Sequence, residues 1–181
     1  DAHVTSITGL KITQAVSENL AFYAGKINTL QEYPLKYSPG LEGNLPGLAG
    51  FMNTSLVFNP IVARTIPYST FGVGTAVLAG GAPIFTLTAF DPQERAAEGL
   101  EDLYATGVVI VPDFVLRTRF FDLPGVWNFG GAYSRADYRS IDPSAYLPLP
   151  PELIGGASPL EKDSWSLYTN GYQALWSDPE V

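Results

Sequence analysis

The sequence predicts an all-β chain whose antiparallel strands form part of a transmembrane β-barrel. Three observations support this fold class. The composition is rich in turn-forming and aromatic residues but poor in charge. Segments of roughly 9–13 residues alternate apolar with polar side chains, which is near the length that a tilted strand needs to cross a bilayer. The connections between these segments alternate between short and long, as consecutive strands of a membrane barrel require.

The composition excludes several classes of protein. Charged residues make up 15% of the 181 residues, against about 25% in an ordinary soluble domain. The net charge of −8 argues against binding to nucleic acid. The chain has no Cys, so it has no disulfide, thiolate nucleophile or zinc–cysteine site. No run of about 18 apolar residues occurs, which excludes a transmembrane helix.

Seven period-two segments, bounded by clusters of Gly, Pro, Asn and Asp, are predicted as strands. They cover residues 4–16, 20–28, 67–78, 83–90, 107–120, 127–138 and 164–176. One or two helical turns are expected within 93–98. The first, third and fifth connections are tight turns, at 17–19, 80–81 and 122–125. The second, fourth and sixth are long, at 29–66, 91–105 and 140–163. This sorting favours a barrel with short turns on one side of the membrane.

The fifth segment divides most clearly into two faces. Asp113, Arg117 and Arg119 lie on one face, and Phe114 and Leu116 lie on the other. A charged side chain facing lipid costs about 2–4 kcal/mol near the midplane, so the charged face is predicted to line a water-filled lumen. The sequence of the sixth segment does not show which of its two faces is polar. Similar reasoning gives the candidate pore-lining set, which is Lys26, Asn28, Asp113, Arg117, Arg119, Tyr168, Asn170 and Tyr172.

The connection 29–66 is too long to be an idle loop. One interpretation is that it folds into the lumen and narrows it. It would then present side chains to the solute, with Glu32, Lys36, Glu42, Asn53 and Arg64 as candidates. The other interpretation, which the sequence leaves equally open, is a plain external loop.

Enzymatic chemistry finds little support. His3 is the only histidine and lies among the first residues, so schemes based on histidine lack a credible member. Glu98, Glu101 and Asp102 form an acidic cluster in a polar connection, where a solvated surface is a simpler explanation than a carboxylate pair. We therefore expect no enzymatic activity, no cofactor and no metal site.

Six segments, in consistent order along nearly the whole chain, resemble carbohydrate-selective porins of the OprB type. They are LAFYAGKINTL at 20–30, FMN at 51–53, TIPYSTFG at 65–72, FGGAYS at 129–134, SIDP at 140–143 and SWSLY at 164–168. The resemblance implies a barrel of about sixteen strands in the outer membrane of a Gram-negative bacterium. Sugars would pass through it by passive diffusion. It also implies that residues 1–181 are part of a porin domain that is cut at both ends. Such a domain would contact outer-membrane lipid, and it could assemble as a homotrimer.

A sugar channel needs aromatic surfaces for pyranose faces and polar groups for hydroxyls. The candidate set supplies both kinds of group. For its charged members the alternative role is an ion-pair ladder that only holds the wall together, and for Tyr168 and Tyr172 it is a structural girdle. A different class of protein also remains open at this point, a secreted soluble β-sandwich that binds carbohydrate.

Overall fold

A computed structural model describes residues 6–29, 65–139 and 160–176 of the chain. Within these ranges, the side chains of residues 139, 160, 161, 170 and 172 are not described. The described residues form seven strands: β1 (Leu10–Ser17), β2 (Leu20–Asn28), β3 (Ser69–Ala79), β4 (Ala82–Phe90), β5 (Val108–Phe120), β6 (Leu123–Arg139) and β7 (Leu160–Gln173).

All seven strands belong to one antiparallel sheet, in the order in which they follow one another along the chain. Each strand pairs with its neighbour in sequence, from β1 with β2 through to β6 with β7. In the described part of the chain the sheet is not closed, and β1 and β7 are its edges. The described strands do not divide into two packed sheets, so the β-sandwich alternative is wrong for this part of the fold.

The predicted sorting of the connections is confirmed. Three two-residue hairpins lie at one end of the sheet, because Ser17 pairs with Leu20, Ala79 with Ala82 and Phe120 with Leu123. The connections between β2 and β3, β4 and β5, and β6 and β7 are long, and the strands that they join meet them at the other end of the sheet. We call these the short-turn end and the long-connection end.

The turn between β5 and β6 differs from its prediction. Pro124 and Gly125 suggested a turn at 122–125, but both residues are part of β6 and the turn is Phe121–Asp122. These two residues have φ values of 50° and 61°. Positive φ at both central positions is what a tight hairpin needs for its twist to match that of the flanking strands. Gly80 and Gly81 do the same in the β3–β4 hairpin, with φ values of 59° and 78°.

Strand bounds otherwise follow the predictions, with a few shifts. β1 is shorter than expected, since residues 6–9 are not in a strand. β6 is longer, with 17 residues, and β7 begins earlier than predicted. The expected helical turns within 93–98 do not form; that segment contains isolated turns only. No helix in the described ranges is long and apolar enough to span a membrane.

Candidate functional site

The alternation along each strand gives the sheet two faces of different chemistry. On the face that carries Asp113, β4 places Thr86 and Thr88, and β5 also places Val111. We call this the Asp113 face. The other face carries Phe114 and is called the Phe114 face. Both faces agree with the predicted split of the fifth segment, which is β5.

The Phe114 face exposes large apolar side chains in neighbouring rows. Phe114 pairs with Phe129, Leu116 with Trp127, and Tyr133 with Trp165. Trp165 and Leu167 are 71% and 77% exposed. Such a continuous apolar surface is rare on monomeric soluble proteins and typical of a surface that meets lipid or another protein.

The centre of the Asp113 face is a buried carboxylate with neutral donors around it. Asp113 is 1% exposed, and its Oδ1 accepts a hydrogen bond of 2.6 Å from the Tyr168 hydroxyl. The Asn128 amide donates to the same oxygen at 3.3 Å. Three adjacent strands supply these groups, which is why no single strand pattern predicts the cluster.

Gly130 makes this geometry possible. It lies between Asp113 on β5 and Tyr168 on β7, and it pairs with both. A Cβ atom at Gly130 would collide with the Tyr168 ring and with the Asp113 carboxylate. The Tyr168 ring therefore lies over the glycine. With 7% of its surface exposed, Tyr168 is part of the wall.

The same arrangement occurs a second time on this face. Tyr23 on β2 lies across Gly74 on β3, and its hydroxyl is 2.5 Å from Thr88 Oγ1 on β4. A Cβ at Gly74 would meet the Tyr23 ring at 2.5 Å. Each tyrosine thus fills the space above a glycine and fixes its hydroxyl on the strand beyond.

Two buried polar atoms on the Asp113 face have no hydrogen-bond partner in the described structure, Asn128 Oδ1 and Ser166 Oγ. Ser166 lies two residues from Tyr168 on β7, and Asn128 lies two residues from Gly130 on β6. They therefore lie on either side of the Tyr168 ring along the strands. An unpaired buried polar group costs about 1–3 kcal/mol.

Part of the Asp113 face is apolar. Near the long-connection end, Ile27, Phe90, Val109 and Val111 form a buried cluster. Ile66, at the described end of the 29–66 connection, packs against the same cluster and is buried. The proposed luminal side chains of that connection, Glu32, Lys36, Glu42, Asn53 and Arg64, lie outside the described residues, so a luminal position for them stays a prediction.

The predicted set is only partly brought together. Arg117 and Arg119 lie four and six residue pairs from the row of Asp113, at the short-turn end, and both are exposed. In the described structure neither makes an ion pair; Arg117 donates one hydrogen bond, to the Pro83 carbonyl at 3.4 Å. Asn170 occupies a register position opposite Asn128, and Tyr172 one opposite Val126, but their side chains lie outside the described part.

The register corrects the prediction for Lys26 and Asn28. Lys26 pairs with Phe71, and Asn28 pairs with Ser69, whereas Tyr23 and Ile27 occupy the positions of the Asp113 face. Lys26 and Asn28 are therefore on the Phe114 side of β2. Lys26 lies near the long-connection end, where its Nζ donates to the Ala96 carbonyl at 3.0 Å and the Glu98 carbonyl at 3.2 Å. The prediction was wrong because a single charged residue near the end of a strand does not show which face of that strand meets water.

The segment 91–107 contains a polar core that the sequence did not suggest. Arg95 is 4% exposed and its Nε lies 3.0 Å from Asp91 Oδ2. Its two terminal nitrogens bind Gln93 Oε1, Glu98 Oε2 and the carbonyls of Glu101 and Asp102. Asp91 is fully buried and also accepts from the Gln93 and Tyr104 backbone N–H groups. A single arginine among five carboxylates in this segment was the signal that could have identified it.

This core also affects Tyr104. Burial, and then the negative charge of Asp91, raise the pKa of the Tyr104 hydroxyl above its ordinary value. The hydroxyl donates to the Ala89 carbonyl at 3.3 Å. The side chain of Glu98 binds the guanidinium of Arg95, whereas Glu101 and Asp102 bind it through their carbonyls and are exposed. No group of His, Asp and Glu side chains in the described ranges is arranged to hold a metal ion.

Comparisons with known proteins find a similarity in structure but none in sequence. No protein-family model matches the chain, and no curated protein matches its sequence. The high-pH structure of OprB from Pseudomonas putida superposes with a TM-score of 0.62 at 16% sequence identity. The match covers 95% of this chain and 41% of the OprB chain. The chain therefore has the fold of part of an OprB-like porin barrel and spans less than half the length of that protein.

Proposed function

We propose that this chain forms part of the wall of an outer-membrane porin that lets sugars diffuse passively across the membrane. The observation that carries the proposal is the division of one sheet into an apolar, exposed face and a face with buried polar groups. In a membrane barrel the first meets lipid and the second meets the lumen. The likeness to the OprB barrel supports the same reading.

The dimensions of the sheet fit this role. β5 and β6 have 13 and 17 residues, which exceeds the 9–11 residues or so that a tilted strand needs to cross the hydrocarbon region. The Phe114 face of β5 remains apolar from Val108 to Leu116. Two-residue turns at one end and long connections at the other match the two sides of an outer membrane.

The chemistry of the Asp113 face supports a hydroxylated solute. Arg117 and Arg119 offer free donors to sugar hydroxyls, since no carboxylate neutralises them in the described structure. Asn128 Oδ1 and Ser166 Oγ are unpaired in the described structure but buried, so they are not counted among these donors. Tyr168 is less suited to be a stacking platform, because its ring is buried over Gly130. Weak contacts of this kind suit a channel, where a solute must leave as easily as it enters.

The proposal involves no catalysis: solutes cross unchanged, down their gradient. It places the protein in the outer membrane of a Gram-negative bacterium, with lipid on the Phe114 face. A homotrimer stays a prediction, which chemical cross-linking in native membranes tests. The secreted soluble β-sandwich that binds carbohydrate is not proposed, because the described strands form one sheet.

The decisive test is the conductance of the full-length protein in planar bilayers. We expect stepwise channels whose current falls as glucose or an oligosaccharide is added. A protein that forms no channels and stays in solution without detergent would overturn the porin proposal. Fractionation of cell envelopes by density then tests the outer-membrane location.

A further inference from the structure

A polar crevice of about 410 Å³ lies at the long-connection end of the sheet. It is bounded by residues 104–107, by β6 near Arg135 and Asp137, and by Lys162 and Asp163 on β7. Its volume falls within the range of about 300–1,000 Å³ that is common for small-molecule sites. It is separate from the cluster around Asp113 and from the exposed arginines at the short-turn end.

Irregular backbone shapes this crevice. Ser134 pairs with Ser164 but Asp137 pairs with Lys162, so β6 carries one extra residue between them. This β-bulge brings Asp137 to the face on which Ser134 lies; without the bulge it would be on the opposite face. Asp163, opposite the bulge, has a φ of 67°, which is uncommon for a residue other than glycine.

The connection before β5 fits closely against the bulge. Gly107 has a φ of 138°, and a Cβ atom there would collide with the Arg135 carbonyl oxygen. Tyr104 on the other side of the crevice has a φ of 61°. Bulges and strained residues concentrate at binding sites because they direct side chains that a regular ladder would point elsewhere.

The charged side chains around the crevice have no partners in the described structure. It is lined by two cations, Arg135 and Lys162, and by two carboxylates, Asp137 and Asp163. In the described part of the chain, none of the four side chains makes an ion pair or a hydrogen bond. Asp137 and Lys162 are direct cross-strand neighbours, so opposite charges lie side by side here without forming an ion pair.

We propose that this crevice is a capture subsite for a neutral, polyhydroxylated solute, which it holds before the solute enters the lumen. This proposal rests on the proposed porin function and deepens it. The two positive and two negative charges cancel, so an anion or a cation would gain from one pair what it loses to the other. A sugar hydroxyl both donates and accepts, so neighbouring hydroxyls satisfy carboxylates and cations at once. Tyr104 adds an aromatic side chain to the lining.

Binding is tested first, by calorimetry on the full-length protein in detergent with maltotriose as probe. The variant Asp137→Asn/Lys162→Gln removes both charges and keeps the shapes of the side chains. We expect it to weaken maltotriose binding about tenfold, because hydrogen bonds to charged groups are the strong ones. The matched control is Glu18→Gln/Asp122→Asn, which changes two exposed carboxylates in hairpins at the short-turn end and is expected to bind as the wild type does.

Single-channel recording then tests the location. With maltotriose added on the long-connection side alone, the double variant is expected to show fewer blocking events per unit time. With the sugar added on the short-turn side, its blocking rate is expected to equal that of the wild type. Unchanged conductance without sugar shows that the variant is folded.

The outcomes separate the two proposals. Channels that maltotriose blocks equally in the wild type and the double variant, together with equal affinities, overturn the capture subsite and leave the porin standing. An absence of channels overturns the porin, and the calorimetric comparison still decides whether the crevice binds sugar. Weaker binding in the double variant combined with side-specific loss of blocking supports both.

Discussion

The hydroxyl of Tyr168 lies 2.6 Å from Asp113 Oδ1, and Gly130 on the strand between them leaves room for the ring. Tyr23 bears the same relationship to Thr88 across Gly74. In both cases an aromatic side chain bridges three strands, so that it ties together the register of two successive strand pairs. The two tyrosines point toward each other along the sheet, from β2 and from β7.

Replacing Tyr168 by Phe should destabilise the sheet by about 1–3 kcal/mol, because the buried Asp113 carboxylate loses a donor and keeps its burial. The measurement is urea unfolding in detergent micelles, followed by tryptophan fluorescence. Tyr133→Phe is the matched control, since Tyr133 is exposed on the Phe114 face and should change stability little. Equal stabilities for the two variants would contradict a structural role for the Tyr168 hydroxyl.

Replacing Arg95 by Ala should disorder the segment 91–107. The change leaves Asp91 buried without its cation, and the loss of one partner from a buried ion pair costs about 3–5 kcal/mol. Hydrogen exchange should show the amides of Gln93 and Tyr104, which Asp91 now binds, becoming faster. Arg119→Ala, a change to an exposed arginine on β5, serves as the control and should leave those amides protected.

Placing a charge on the Phe114 face should be costly only if that face meets lipid. Phe129→Lys should destabilise the protein in bilayers by about 2–4 kcal/mol, the depth-dependent cost for a cation facing hydrocarbon. Leu100→Lys is the control, because Leu100 is also apolar and exposed but lies in the 91–107 segment outside the strands. Similar effects of the two changes would contradict the assignment of the Phe114 face to lipid.

Alkaline pH should destabilise the protein through Tyr104. Its pKa is raised in the folded state, so the folded protein keeps the proton that the unfolded chain releases near pH 10. The stabilising contribution is complete below about pH 10 and is lost as the pH rises through the folded-state pKa. Unfolding free energies measured across this range should fall less steeply for Tyr104→Phe. Ultraviolet titration of the phenolate gives an independent reading, in which one tyrosine of the wild type ionises late.

Much of the fold follows from patterns within single segments. Alternation in β4 and β5 gives the faces of Thr86, Thr88 and Asp113, and turn residues give the sorting of the connections. What single segments do not contain is the relationship between strands. The face on which Lys26 lies depends on its pairing with Phe71. The face on which Asp137 lies depends on a β-bulge that the sequence of β6 does not predict.

The candidate site was less predictable for the same reason. Asp113 and Tyr168 are 55 residues apart and meet only because Gly130 lets a ring pass above the strand between them. Arg95 was missed because its importance comes from burial, and a run of polar residues normally indicates solvent exposure. The turn at Phe121–Asp122 was missed because a bulky residue such as Phe121 rarely adopts positive φ, whereas Pro124 and Gly125 resemble a turn by composition.

The sheet pairs every strand with the one that precedes it in the chain, and this has a consequence for how such a wall changes in evolution. Among the seven described strands none is inserted between two others, so a hairpin gained by duplication, or lost by deletion, leaves all the remaining pairings as they were. The number of strands in such a sheet can therefore change in steps of two. In a fold whose neighbouring strands are distant in sequence, the same change would alter several strand pairings. Here a whole hairpin can be added or removed without altering the others.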